Sequence, residues 1–294
     1  MRESGKEVCA VSVGLVLEGG GMRGAYTAGV LDELLKNQIH FPSVYAVSAG
    51  ACCALSYVSE QYERNKEIFY NYVPDNRYVS IQNLRQSGSL FGFNFIFGEL
   101  FHNLVPFDEH TFNSSKVHLM VGATDLKTGQ ATFFGREDMD EHFLPVQASS
   151  SLPFLSNIIT INDRPYLDGG IAAPIPYERS LLDGNNHNVV VLTRDYSFRK
   201  RVGADYPHAF INARYHEYPE FVETLQSRSY LYNRQLAFIR RQEQAGTMIV
   251  IRPSSPINIS RYEKDPETLV RLYQIGRHDA QIKIEDIQEM LKND

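Results

Sequence analysis

Three short stretches hold the residues whose types and spacing could do chemistry. Ser48 lies in Ala46-Val47-Ser48-Ala49-Gly50, with small residues on both sides. Three successive glycines open Gly19-Gly20-Gly21-Met22-Arg23-Gly24, and Asp168 is followed by Gly169 and Gly170. A serine hydroxyl attacks a carbonyl only when a base takes its proton. A run of glycines can turn its N–H groups outward and hold the oxyanion that forms. The chemistry expected is therefore acyl transfer through a serine ester. The loop Gly19, Gly20, Gly21, Met22, Arg23 and Gly24 is expected to form the oxyanion hole, chiefly through the amides of Gly20, Gly21 and Met22.

Two kinds of base are available. By chain order His187, His208, His216 or His278 could complete a Ser-His-Asp triad, but none sits in a recognisable motif. Asp168 suits a two-residue site better: it ends a strand-like run, and its two glycines let the backbone fold tightly towards another loop. Arg23 is expected chiefly to pin the glycine loop to a carboxylate, with phosphate binding as its other reading.

These groups need elements to position them. Val13–Leu17 is an apolar strand leading into the glycines, and Ala25–Asn37 follows with Val30, Leu31, Leu34 and Leu35 at helical spacing. Val44–Val47 is a second strand, and Gly50–Glu60 the helix behind Ser48. A strand entering a helix through a tight small-residue turn presents a nucleophile at the carboxyl edge of a parallel sheet. The order β-α-β-α predicts an α/β fold with a mostly parallel central sheet flanked by helices.

With all three blocks in this order, the chain resembles the patatin-like phospholipases, whose pattern is G-G-G-x-R/K-G, then G-x-S-x-G, then D-G-G/A. The resemblance covers about residues 13–194. One position departs from the pattern: Ala46 replaces the first glycine of the serine block. The resemblance implies a three-layer α/β/α fold, a Ser48–Asp168 dyad and hydrolysis of carboxylic esters of lipids, in the manner of a phospholipase A or lysophospholipase. It also implies that the small-residue block Ser149-Ser150-Ser151-Leu152-Pro153 lies near the active site.

Composition narrows the classes further. The chain has 294 residues, 43% of them hydrophobic, and a formal net charge of −6. Residues 1–170 hold 12 Lys and Arg against 19 Asp and Glu; residues 171–294 hold 17 against 16. Nothing here makes the basic face that nucleic acid needs. The near-balanced second half could offer cations to an anionic lipid headgroup. Cys9, Cys52 and Cys53 are too few and too poorly placed for a disulfide framework, which fits a reducing cytosol, and Cys52 and Cys53 read as helix packing. No apolar run reaches membrane-spanning length, and residues 1–11 lack a signal-peptide core. The histidines are scattered, so neither a metal nor a cofactor is expected. The expected location is cytoplasmic, with peripheral contact at a membrane.

Between Tyr62 and Asp108 the periodicity is lost. Phe91, Phe93, Phe95, Phe97, Phe101 and Phe107 crowd a stretch interrupted by Gly88, Gly92 and Gly98. The alternation from Phe91 to Phe97 fits a strand; the glycines fit a mobile apolar insertion. Functionally, Phe91–Phe107 is either a lid or acyl-chain wall touching a bilayer, or ordinary packing under a long loop. Downstream, His118–Thr124 and Ala131–Phe134 read as a hairpin, as do Ile158–Ile161 and Pro165–Leu167, with Phe143–Ser150 a short helix between them. Asn188–Thr193 and Thr247–Arg252 read as strands, Pro219–Ala245 as a helix, and Asp265-Pro266 caps a final helix running to Leu291. One domain over residues 1–294 is expected, with a catalytic core at 13–194 and helical additions at 195–294.

Two other functions fit parts of the pattern. Gly19, Gly21 and Gly24 satisfy G-x-G-x-x-G, but a dinucleotide site also wants an acid at the end of the second strand, where Ala46-Val47-Ser48 stands instead. A non-catalytic lipid- or acyl-binding module would keep the pocket without turnover.

Overall fold

The computed structural model describes residues 12–201, 203 and 206–293. The opening segment read as free of a signal peptide, and Cys9 within it, lies outside the described residues. In chain order the elements are β1 (Ser12–Leu17), α1 (Gly24–Lys36), β2 (Ser43–Val47), α2 (Ala49–Val58), α3 (Arg64–Glu67), α4 (Ile81–Ser87), α5 (Glu109–Ser114), β3 (His118–Asp125) and β4 (Ala131–Phe134). Then come α6 (Leu144–Ser149), β5 (Ile159–Ile161), β6 (Arg164–Asp168), α7 (Tyr177–Leu182), β7 (Asn185–Val191), α8 (His208–Tyr215), α9 (Pro219–Gln244), β8 (Met248–Ile251), α10 (Pro266–Gln281) and α11 (Ile284–Lys292).

The strands form one sheet in the order β5-β6-β3-β2-β1-β7-β8, with β4 also on β3. From β3 to β8 the neighbours run parallel; β4, β6 and β5 add antiparallel pairs at one side. Side chains alternate across this sheet. Val13, Leu15 and Leu17 face one core with Val44, Ala46, Val189 and Val191, packed under α1, α2, α10 and α11. Val16, Tyr45, Met120 and Val190 face the opposite core, where Tyr177 of α7 and Tyr232, Leu236 and Ile239 of α9 close over them. The expected α/β architecture with a mostly parallel sheet between helical layers is what the chain adopts.

Helix α10 packs directly on α1. Gly29 of α1 and Gly276 of α10 face each other so tightly that a Cβ on either would overlap the backbone of the other helix, at Tyr273 and Tyr26 respectively. Around this contact Tyr26 donates to Asp279 at 3.0 Å, Tyr273 donates to Asp32 at 2.8 Å, and Arg277 pairs with Glu33 at 2.7 Å. Buried polar groups paired in this way fix helix register as well as proximity.

Two expectations are corrected. The Phe91–Phe97 alternation is not a strand: Phe95–Leu104 is a π-helix, and the amide of Val105 closes it on the carbonyl of Leu100. Phe93, Phe97 and Phe101 recur every four residues, and that helical spacing is the one the packing uses. The final helix is two helices, broken at Ile282 and Lys283, where Ile282 is exposed. No glycine or proline marks that break.

Candidate active site

Ser48 sits between β2 and α2 with φ 53° and ψ −130°. This left-handed backbone is costly for a residue with a Cβ, and it persists only where the surroundings enforce it. Here they do. The amide of Ser48 donates to Ser149 Oγ at 2.8 Å, and Ser149 Oγ donates to the carbonyl of Gly122 at 2.6 Å. Both Ser48 and Asp168 are buried. Ala46 lies fully buried in β2, paired with Leu17 and Val121, so its methyl is accommodated within the sheet.

Asp168 ends β6, the antiparallel neighbour of β3. Its amide donates to the carbonyl of Ser151 at 2.8 Å and that of Gly169 to the carbonyl of Ser149 at 3.1 Å. Gly169 must lack a side chain: a Cβ there would overlap the carbonyl of Gly122. Thr124 Oγ1 donates to the Asp168 carbonyl at 2.8 Å. The side chain is thereby aimed at the elbow, and Ser48 Oγ donates to Asp168 Oδ2 at 2.7 Å. The other oxygen, Oδ1, accepts from the amide of Gly170 at 2.7 Å. Burial raises the Asp168 carboxyl above its ordinary pKa, while the Ser48 hydrogen bond, Arg228, the Gly170 amide and Arg261 act in the opposite direction.

The glycine loop rises from β1 beside this pair. A Cβ on Gly19 would lie 2.9 Å from Ser48 Cβ. Among the described residues the amides of Gly19, Gly20 and Gly21 have no acceptor. Met22, expected as a donor, differs: its amide donates to the carbonyl of Arg261 at 3.1 Å. Among the described residues Arg23 makes no hydrogen bond to a carboxylate, and Glu18 acts on it through charge. The residue is 8% exposed and among the described residues Nε has no partner; burial lowers its pKa to about 10, with Arg194 acting in the same direction. Gly24 opens α1 and faces Ala49 and Cys53.

Glu18, next to the loop, accepts from the Thr193 amide at 2.6 Å and from the Tyr232 hydroxyl at 2.8 Å. Burial raises its pKa, against those hydrogen bonds and the charge of Arg23.

The histidines lie elsewhere. His187 is on β7 at the level of Val13, at the opposite end of β1 from Leu17. His208, His216 and His278 are exposed. None bonds to Ser48 or Asp168. Among the described residues no cluster of His, Cys, Asp and Glu could hold a metal ion, and no helix is long and apolar enough to cross a membrane. The cysteines pack as expected: Cys53 is in the core with its thiol on the Gly24 carbonyl, and Cys52 Sγ lies 3.4 Å from Ser150 Oγ.

Two cavities meet at Gly21. One, of about 730 Å³, is polar and includes Glu18, Arg23, Asp168, Arg194 and Arg261 in its walls. The other, narrow at about 90 Å³, is walled by Met22, Ala49, Phe91, Phe93, Phe97 and Phe101. The aromatic insertion therefore folds inward beside α2. Sequence reasoning missed Thr124, Arg228 and Arg261. Each acts on the site through backbone or long-range contacts, and no local pattern marks it.

The geometry thus joins a strained serine at a strand–helix elbow to a buried aspartate on the neighbouring edge of an α/β sheet. The chain belongs to the patatin-like phospholipase family, whose model matches residues 15–180. A second model, described as a domain of unknown function, matches residues 218–292. Among curated proteins, the uncharacterized protein YjjU of Escherichia coli (strain K12) is 26% identical over 195 residues, 62% of this chain and 52% of YjjU. The chain thus spans about half the length of the curated relative it matches. Among solved structures, VipD from Legionella pneumophila aligns over 94% of this chain and 67% of its own, at 13% identity and a TM-score of 0.45.

Proposed function

We infer that the chain is a serine acyl hydrolase that cleaves carboxylic esters of lipids, with Ser48 as nucleophile and Asp168 as general base. The observation that supports this best is the 2.7 Å hydrogen bond from Ser48 Oγ to Asp168 Oδ2 at a strained elbow. Asp168 takes the hydroxyl proton as Oγ bonds to the ester carbonyl carbon. The tetrahedral oxyanion is held by the amides of Gly19, Gly20 and Gly21. Collapse breaks the bond to the alcohol, which leaves with the proton from Asp168. Water then attacks the acyl-serine, giving its proton to Asp168, and the fatty acid leaves as Ser48 is restored.

A carboxylate hydrogen-bonded to a hydroxyl is a weak base at its ordinary pKa, so the burial that raises the Asp168 pKa favours proton transfer. The α2 N-terminus behind Ser48 adds positive potential at the oxyanion. The apolar cavity supplies a wall for the acyl chain. Its phenylalanines are buried or half-buried, so a bilayer contact through Phe91–Phe107 requires them to turn outward. The packing of α10 on α1 supports reading the chain as one domain with helical additions rather than two separate units.

The test is release of fatty acid from a short-chain phospholipid by the purified protein and by Ser48→Ala. Turnover by the wild type and none by a folded Ser48→Ala supports the reading. Equal turnover by both removes Ser48 from the mechanism.

A further inference from the structure

The polar cavity beside the proposed dyad carries far more positive charge than the acyl-transfer chemistry uses. Among its described lining residues Arg23, Arg194, Arg199, Arg201 and Arg261 stand beside two carboxylates, Glu18 and Asp168. Most of these cations lie beyond residue 180, outside the stretch that matches the family: Arg194, Arg199 and Arg201 follow β7, and Arg261 lies in the segment that crosses the glycine loop.

The hydrogen bonds of Arg194 and Arg199 go to backbone carbonyls, which carry no formal charge. Arg194 donates to the Ile257 carbonyl at 3.2 Å and stacks on Phe198, and Arg199 donates to the Phe198 carbonyl at 2.6 Å. Among the described residues none of Arg23, Arg194, Arg199, Arg201 and Arg261 forms an ion pair with a carboxylate. Glu18, the carboxylate facing Arg23, has its oxygens bonded to Thr193 and Tyr232. Deepest in the cavity wall is Arg23, over nine-tenths buried with Nε unpartnered. Like charges gathered around one buried guanidinium repel one another, and an anion in the cavity relieves that repulsion. Guanidinium groups suit phosphate because their planar N–H forks match its oxygens.

The two cavities lie on either side of Gly21, one apolar and one cationic. A phospholipid spanning the site with its acyl ester at Ser48 would place its chain against the phenylalanines and its headgroup among the arginines. A zwitterionic headgroup brings an ammonium into that cluster; an anionic one does not.

We propose that the cavity formed by Arg194, Arg199, Arg201 and Arg261 with Arg23 is a headgroup subsite selecting glycerophospholipids of net negative charge over zwitterionic ones. This rests on the acyl-hydrolase reading for its orientation, but its binding claim can be tested without turnover. Ser48→Ala is titrated calorimetrically with a lysophosphatidylglycerol and a lysophosphatidylcholine of the same chain length, both as monomers, and with inorganic phosphate. The expected result is an affinity for the anionic lipid at least about tenfold above the zwitterionic one, the order of one charge-assisted contact. That preference should weaken as salt is raised and fall towards equality when Arg194→Gln and Arg261→Gln are added. Arg199→Gln, at an exposed position, should reduce it in part even if the double variant fails to fold. Equal affinity for the two lipids, or a preference unmoved by salt and by Arg199→Gln, overturns the proposal. Inorganic phosphate binding as tightly as the anionic lipid also overturns it, because the site would then serve free phosphate. A clear charge preference in Ser48→Ala, with no ester hydrolysis by the wild type, leaves the subsite standing and removes the hydrolase reading.

Discussion

The hydroxyl of Ser149 accepts the amide of Ser48 at 2.8 Å. This bond satisfies a buried N–H in a backbone conformation that the sheet and α2 could not otherwise stabilise. Ser149 also bonds to Gly122 on β3, and its carbonyl accepts the amide of Gly169. One residue thus links the serine elbow to the aspartate strand.

Ser149→Ala removes the acceptor and leaves that N–H unsatisfied, at a cost of about 1–3 kcal/mol. The elbow relaxes and Oγ moves off the carboxylate. Turnover of a soluble ester is expected to fall by about tenfold or more, since 1.4 kcal/mol corresponds to a factor of ten. Steady-state kinetics, with a thermal melt of the same sample, check both effects. Unchanged kcat would show that Ser149 does not position the nucleophile.

Asp168→Asn separates stability from activity. Asparagine can still accept from the Gly170 amide and contact Ser48, so the local geometry survives. Because burial raises the folded-state pKa of Asp168, its contribution favours folding fully below the unfolded value near 3.8 and is lost as pH rises through the folded value. At neutral pH the charged form therefore works against folding, and replacing it is expected to raise Tm by roughly 2–4 °C for each kcal/mol recovered. Activity is expected to drop by about 10²–10⁴ with the base removed. In the wild type, kcat/KM should decline on acidification through a pKa above 3.8, as the base takes up its proton. Tm by calorimetry and a pH–rate profile read these out.

Phe97 stacks on Phe143, lies tilted against Phe101 and walls the narrow apolar cavity. Phe97→Leu opens that wall, at a stability cost of about 0.5–3 kcal/mol. Across a series of esters differing in chain length, the optimum is expected to move to longer chains than in the wild type. An unmoved optimum would place the acyl chain elsewhere.

Gly29→Ala tests how the C-terminal helices are joined to the core. The new methyl would collide with the Tyr273 carbonyl and push α10 off α1. A loss of roughly 1–3 kcal/mol is expected. If the chain is one cooperative unit, the melt should remain a single transition at lower temperature; two separated transitions would show an independent C-terminal unit.

Much of this arrangement was legible in particular residues. The apolar runs at Val13–Leu17 and Val44–Val47, each ending in a small-residue turn, announced the strands that meet at the site. Asp265-Pro266 announced α10, whose first turn Asp265 caps by accepting the amide of Thr268 at 2.9 Å. Physical reasons account for what was not legible. In the Phe91–Phe107 stretch the same residues satisfy two periods at once, and only packing against α2 and Phe143 selects the helical one. The break at Ile282 carries no breaker residue. The bond from Met22 to Arg261 joins positions far apart in sequence through a backbone carbonyl, which no side-chain pattern can signal. Likewise, the cationic cavity gathers Arg23, Arg194 and Arg261 from separate segments, whereas the composition of the second half is nearly neutral.

The most direct test of the account is the mass of the intact protein after reaction with an alkyl fluorophosphonate, followed by peptide mapping. The account predicts one adduct, carried by Ser48, absent in Ser48→Ala and formed far more slowly in Asp168→Asn. An adduct on another residue, or labelling of Asp168→Asn at the wild-type rate, would contradict it.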